Sequence, residues 1–390
     1  MTASPANPPV LSAAETAAAE ALLGAASGAR VAVRSAENIW GRDLIARLRL
    51  DSGTSVVLKR RGPAKIAGST RSFGAELAAL EFLTAEETGV APRLIGASAQ
   101  ILLMEDLGRS SSLAHSLLTG DRARAETDLI AYGRALGTMH GWSIGRAGEF
   151  AALRARHAPA VPDGPELLDR LSAGKERFLA VAARLGLPGA GAGDEIDSLG
   201  ALLRDSGPAG LVHGDPCPDN THIAGGTCRI FDFETSGWGP IALDAVYLLA
   251  PFPSCWCFAT LPASAAGPAL AAYRDQLARA GIDVRPSWDA AAAAALAAWV
   301  VARGAVLGRT LEKDRDWGTT TIRPRLLTWL RSFTDAASRA GVLPRLRSLA
   351  EALHAELGRR WPSAVVPSYP ALADPRAPLA RVPPEWPSGD

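Results

Sequence analysis

The run L-V-H-G-D-P-C-P-D-N from Leu211, followed by R-I-F-D-F-E from Arg229, sets Asp215, Asn220 and Asp232 at a spacing suited to phosphoryl transfer. Moving a phosphoryl group from a nucleotide calls for one carboxylate at the acceptor hydroxyl and for oxygen ligands that hold magnesium across the phosphates, because catalysis there is mostly positioning and charge neutralisation. Asp215 suits the first role. Asn220 and Asp232 suit the second.

Further residues upstream support this chemistry. Val56-Val57-Leu58-Lys59 reads as an apolar strand ending in lysine, in a chain that otherwise prefers arginine, and Glu76 follows on the next predicted helix. Lysine offers a compact charge for nucleotide phosphates, and a glutamate on a neighbouring helix would hold its flexible stem in place. Ile101 to Leu107 then supplies a strand entering a connection where backbone groups of Glu105 and Leu107 would meet a purine edge in an apolar slot.

On these motifs, in this order, the chain resembles the aminoglycoside phosphotransferase and choline kinase group of small-molecule kinases, over roughly Ala29 to Arg331. The resemblance implies an α+β, two-lobed protein-kinase-like fold: a small N-terminal antiparallel β-sheet lobe with one key helix, and a larger, mainly helical C-terminal lobe. It implies Asp215 as the catalytic acceptor-site residue, Asn220 and Asp232 as ligands of Mg2+, and ATP or GTP as co-substrate. His213-Gly214-Asp215 stands where protein kinases have H-R-D, and Asp232-Phe233-Glu234 where they have D-F-G. Only a short stretch separates Glu234 from the helix expected near Asp244, and no A-P-E segment follows, so a protein substrate is disfavoured. The loop Ser35 to Arg42 lacks a G-x-G-x-x-G cradle, which leaves Ser35, Asn38 and backbone amides as its phosphate-holding candidates.

These residues need elements to position them. Ser12-Ala13-Ala14-Glu15 is a capping-box pattern that starts a helix over 13–26, stopping near Gly28. Strands are expected over 29–34, 43–50 and 54–60, with a hairpin turn at 51–54. A helix over 71–86 carries Phe73, Leu77, Leu80 and Leu83 at helical spacing. From Ser111 the pattern turns helical, over 113–118, 123–140, 165–185, 244–249, 268–280, 288–307 and 324–356, interrupted by strand-like pieces only between Leu211 and Phe233. Gly189 to Gly193 reads as a flexible connector, and the proline-rich tail after Trp361 as a surface wrap or disordered segment. The organisation expected is a nucleotide-binding lobe over 1–107, a catalytic and acceptor-binding lobe over 108–360 and a tail over 361–390.

With 390 residues, 48% hydrophobic, the chain can bury a large core, and its formal charge of +1 without a long basic run gives no electrostatic footprint for nucleic acid. The alanine-rich run Ala290 to Ala302 falls short of the roughly 20 residues of a membrane span and reads as a buried core helix. The first ten residues lack a basic and an apolar signal region, so a cytoplasmic location is expected, as a monomer or homodimer. Cys217, Cys228, Cys255 and Cys257 are too few for a disulfide framework and read as reduced and buried, with Cys217 open to alkylation. Cys255-Trp-Cys257 looks like half of a metal site that no second close pair completes. His213 is expected to shape the loop by bonding backbone or Asp232, and His140 and His222 to be ordinary residues.

The resemblance implies a small-molecule hydroxyl as the acceptor. Carboxylates that would hold a polycationic aminoglycoside are outnumbered by arginines after Arg285. An antibiotic is one acceptor class; a sugar, an amino alcohol or a homoserine-like compound is another. A catalytically silent nucleotide-binding regulator is the reading from a different class. Most tryptophans should be core, and Glu234, Arg315 and Trp317, the last two in the segment Asp314 to Thr321, are the candidates for touching the acceptor.

Overall fold

Strand β3 (Ser55–Arg60) organises the N-terminal sheet, because its Val56, Val57 and Leu58 are all buried and so demand cover on both faces. The computed structural model describes residues 10–39, 44–62, 69–85, 88–109, 111–159 and 164–381. Five strands lie in the order β1 (Val33–Asn38), β2 (Ile45–Leu50), β3, β5 (Ile101–Glu105) and β4 (Leu94–Ala97), every pair antiparallel. Alternation along the strands separates two cores. Val56, Leu58, Leu48, Ile101 and Leu103 face helix α1 (Ala13–Ser27), whereas Val57, Leu102 and Met104 join the core shared with helix α2 (Ser69–Thr84). Lys59 is two residues beyond Val57, so the period of two puts it on the α2 side.

Helix α1 begins at the Ser12–Glu15 capping box and ends at Gly28, whose φ of 69° is the left-handed conformation that glycine adopts without strain. Glu15 also pairs with Arg60 at 2.5 Å, which pins α1 across the outer face of the sheet. The first strand differs from the expectation: it runs over Val33–Asn38 because pairing with β2 sets it, Ser35 opposite Arg49 and Asn38 opposite Ala46. Ser35 and Asn38 are therefore exposed strand residues, and residues 40–42 of their expected loop lie outside the described residues.

The remainder is mainly helical. Helices α3 (Leu113–Thr119), α4 (Arg122–Ser143), α5 (Ala147–His157), α6 (Glu166–Asp169), α7 (Leu171–Arg184) and α8 (Ala192–Asp205) precede two short antiparallel pairs. In these, β6 (Ala209–Val212) pairs with β9 (Gly237–Pro240), and β7 (Thr221–Ala224) with β8 (Thr227–Ile230). Helices α9 (Ala242–Ala245), α10 (Ala263–Arg279), α11 (Trp288–Ala302) and α12 (Gly304–Glu312) follow, then the β10 (Asp316–Trp317) and β11 (Thr320–Thr321) hairpin, α13 (Ile322–Ala340) and α14 (Pro344–Arg360). Among the described residues no single helix is long and apolar enough to cross a membrane, and α11 is buried along nearly its whole length.

Several expected helices are broken, each for a physical reason. The run 288–307 divides into α11 and α12 with a 50° bend, where Gly304 meets α7: a Cβ on Gly304 would lie 2.4 Å from the Gly174 carbonyl. The run 324–356 divides at Gly341, whose φ of 65° caps α13, and Pro344 starts α14. The run 165–185 divides into α6 and α7. Residues 192 and 193 of the expected connector open α8, and α5 was not anticipated. The tail up to residue 381 is packed rather than loose: Ser368 bridges both Thr260 and Leu379, and the Tyr369 side chain is fully buried.

The closest helix contact is between α4 and α10. A Cβ on Gly133 would sit 2.1 Å from the Ala269 carbonyl, and one on Gly137 2.5 Å from the Tyr273 carbonyl, so the two backbones touch only because both residues are glycine. Gly133→Ala should lower unfolding stability by about 1–3 kcal/mol, the usual cost of overpacking. In contrast, Gly148→Ala on α5, where a Cβ meets nothing within 4 Å, should be neutral or stabilising. Urea unfolding midpoints of the two variants check this, and equal midpoints would show that the α4–α10 seam yields.

Candidate active site

Glu76 lies on the apolar stripe of α2 made by Phe73, Leu77 and Leu80, which is why a carboxylate with 1% exposure sits inside the protein. Lys59 reaches it from β3 with Nζ 2.6 Å from Glu76 Oε2, and the same Nζ is 2.5 Å from Asp232 Oδ1 and 3.9 Å from Glu234 Oε2. Burial works against the Lys59 charge, but the Glu76 and Asp232 carboxylates outweigh it and raise its pKa. Burial raises the Glu76 pKa in turn, opposed by Lys59 and reinforced by Asp232, since one ammonium is shared between two carboxylates. Asp232 follows β8 with φ 69° and ψ 54°, a left-handed conformation that aspartate tolerates better than most residues.

The loop after β6 carries the second cluster. Gly214 has φ 82°, and a Cβ there would lie 2.5 Å from the Thr235 carbonyl, so glycine is required. The Asp215 amide donates to His213 Nδ1 at 3.2 Å, which leaves His213 Nε2 to donate to the Phe231 carbonyl at 3.0 Å. That pattern assigns a neutral ring with its proton on Nε2, so His213 ties the loop to β8 through backbone, as expected, and is not placed to act as a base. Asn220 Nδ2 donates to the Asp215 carbonyl at 3.0 Å, so that bond is made by its nitrogen and not by its oxygen.

Side-chain contacts to the Asp215 carboxylate converge on one oxygen. Ser254 Oγ donates to Oδ1, and Tyr247 OH lies 3.2 Å from the same atom and 2.8 Å from Ser254 Oγ, so the tyrosine proton can back up the serine. Among the described residues, Oδ2 receives no side-chain hydrogen bond. Cys217 Sγ is 3.1 Å from Oδ1, but Cys217 is joined to Cys255 by a disulfide and has no proton to give. This bridge corrects the expectation of four reduced cysteines and of a Cys217 open to alkylation: Cys217 is bonded and buried, and only Cys228 and Cys257 are free thiols.

Four residues that sequence reasoning missed hold this loop. They are Ser254 and Tyr247, already described, with Asp244 and His140. Asp244, fully buried on α9, accepts from the amides of His213 at 2.7 Å and Gly214 at 3.0 Å, and from His140 Nε2 at 3.2 Å. The other His140 nitrogen is 3.0 Å from Tyr273 OH, so His140 is a buried linker and not the ordinary helix residue expected. The one available signal for Asp244 was an acid inside the apolar run I-A-L-D-A-V-Y-L-L, because a buried charge has to have a reason.

The remaining candidates are more scattered. The Glu105 amide is spent on the Arg93 carbonyl and its side chain pairs with Arg229 at 2.7 Å, while Leu107 sits half-buried beside it in the chain. Glu234 is half exposed at the edge of the Lys59 cluster. Trp317 belongs to the β10–β11 hairpin and Arg315 immediately precedes it; the hairpin packs on Trp256 through Gly318 and Thr319, and Trp317 is exposed. Trp256 Nε1 in turn donates to Asp219 of the Asp215 loop at 2.7 Å. The hairpin thus approaches the Asp215 loop through Trp256 and does not touch the Asp215 carboxylate. For a metal, the Asn220 amide oxygen and the Asp232 carboxylate are hard oxygen donors of the type that suits magnesium.

The profile of the phosphotransferase enzyme family matches residues 43–293. No curated protein matches the chain. Among solved structures it is similar to a macrolide 2′-phosphotransferase from Brachybacterium faecium, at 19% identity over 75% of this chain and 94% of that one, TM-score 0.46. It is similar to a choline kinase from Cryptosporidium parvum, at 12% identity over 81% and 93%, TM-score 0.46. A Plasmodium vivax ethanolamine kinase matches at 12% identity over 81% and 83%, TM-score 0.47.

Removing the Asp244 carboxylate leaves three buried donors unpaired. Asp244→Ala should cost at least about 3 kcal/mol, at roughly 1–3 kcal/mol for each unsatisfied group. Urea unfolding measures the loss, and a cost below about 1 kcal/mol would mean that the His213–Gly214 turn holds itself.

Proposed function

The chain belongs to the phosphotransferase enzyme family, and on that premise we propose that it transfers the terminal phosphoryl group of a nucleoside triphosphate, ATP or GTP, to a hydroxyl of a small molecule. The observation that carries the reading is the Lys59–Glu76–Asp232 cluster beside an Asp215 carboxylate held by one oxygen only. In it Asp215 receives the acceptor hydroxyl on Oδ2, orients it and accepts its proton. Transfer through a loose transition state needs orientation more than basicity, so fixing Oδ1 through Ser254 and Tyr247 is the useful contribution.

Lys59 lies against the phosphates and offsets their charge, and Glu76 keeps the ammonium from swinging away. Asn220 and Asp232 are the residues that would hold magnesium, which when bound neutralises charge between the phosphates. Ser35 and Asn38 on the edge strand, and the backbone near Glu105 and Leu107, are the nucleotide contacts of this reading. Glu234, Arg315 and Trp317 are the acceptor contacts of this reading. An antibiotic hydroxyl is one acceptor class, and a sugar, amino alcohol or homoserine-like hydroxyl is the other.

Nucleotide consumption with magnesium over a panel of hydroxylated antibiotics, sugars and amino alcohols, with products weighed by mass spectrometry, tests the reading. Asp215→Ala should lower kcat about 10²–10⁴-fold with nucleotide binding retained. Ser254→Ala should lower kcat by up to about 100-fold, leave the nucleotide KM unchanged and be partly rescued by Ser254→Thr, as expected of a positioning residue. Wild-type turnover in Asp215→Ala would overturn the assignment.

A further inference from the structure

Cys255-Trp-Cys257 reads in the sequence as half a metal site without its second half, and the fold supplies the missing partners. The catalytic loop brings Cys217 onto Cys255 and Asp219 beside the pair: the ligand atoms of Asp219, Cys255 and Cys257 all lie within 4.8 Å of one another. Among the described residues, Asp219 Oδ1 is buried without a hydrogen-bond partner, whereas its Oδ2 is held by the Trp256 indole at 2.7 Å. Cys257 is a free thiol with no exposure.

We propose that, once the Cys217–Cys255 bridge is reduced, Cys217, Cys255, Cys257 and Asp219 bind a thiophilic divalent cation of the zinc class, and that this cation then joins the catalytic loop to the 255–257 segment in place of the disulfide. The inference does not rest on the proposed phosphoryl transfer, although Cys217 and Asp219 share the loop that carries Asp215 and Asn220.

Three observations support it. Three sulfurs and one carboxylate oxygen are a donor set for four-coordinate zinc, not for magnesium. The indole hydrogen bond to Asp219 Oδ2 is the outer contact that aims a ligating carboxylate, leaving Oδ1 to the cation. Lastly, Arg325, 1% exposed, makes no ion pair among the described residues. It spends its guanidinium on the carbonyls of Cys255, Trp256 and Trp317. Three thiolates and a carboxylate around a divalent cation carry two net negative charges, which would give this unpaired buried cation its counter-charge. Asp215 also lies near Cys217 and Cys255, but its Oδ1 is already taken by Ser254 and Tyr247.

The step balances with a dithiol reductant. Its two thiols become a disulfide, and two electrons and two protons pass to the Cys217 and Cys255 sulfurs. Cation binding then releases the thiol protons to solvent.

The test uses the full chain. A thiol count in denaturant reports the state of the bridge: two thiols before reduction and four after. The reduced, chelator-treated and still folded protein is titrated with Co2+. The expected result is a single saturable site with a sulfur-to-cobalt charge-transfer band, displaced by Zn2+ and absent before reduction. The band should vanish in Cys257→Ser and persist in Cys228→Ser and Asp215→Asn, and Trp256→Phe should weaken binding about 10-fold. The proposal is overturned by a reduced, folded chain that shows no such band, by a band that survives Cys257→Ser, or by a bridge that opens only on unfolding.

Discussion

A carboxylate cut off from water has to be given all its hydrogen bonds by the protein, and the arrangement around Asp215 depends on one such group. Asp244 gathers the His213 and Gly214 amides and the His140 ring, each from a different direction. Peptide groups of the turn that would otherwise be buried and unpaired are thereby satisfied, and the turn is fixed to α4 and α9 together. The Asp215 side chain emerges from that fixed turn, is met by Ser254 and Tyr247 on one oxygen, and presents the other.

A second buried acid, Glu76, does the equivalent for the sheet. Strand period aims Lys59 at α2, and helix period turns Glu76 toward β3, so two different periodicities meet in one ion pair. The pair is not neutral once Asp232 is included, because two carboxylates share one ammonium. That sharing is the electrostatic condition under which a cation near Asp232 is welcome, and the Lys59–Asp232 contact ties the strand lobe to the segment after β8 across a wide separation in the chain.

Much of the fold and of the candidate site was legible in the sequence. Asp215, Asn220 and Asp232 share one local motif, Lys59 ends an unmistakable apolar strand, and Glu76 falls on the stripe of its helix. What was not legible depends on distant partners. Ser254 meets Asp215 from 39 residues away and Cys255 meets Cys217 from 38, with no local pattern to announce either. The break between α11 and α12 comes from Gly174 on another helix, and the register of β1 from its pairing with β2. The helix stop at Gly341 and start at Pro344, in contrast, were written locally and were overlooked inside a long periodic run.

The packed tail bears on the order in which the protein can be made. The sheet and α1 draw their contacts mainly from the first hundred or so residues, whereas α2 waits for α5 and the turn after Asp232, so only the sheet and α1 can begin to organise while synthesis continues, as domains generally do. The segment beside the Asp215 loop cannot finish in the same way. Thr260 is bridged by Ser368, and Ser368 is itself bridged by Leu379. The helical lobe is therefore sealed by residues translated long after its Asp215 turn, and a ribosome paused in α14 would carry a lobe whose Thr260 edge is still open.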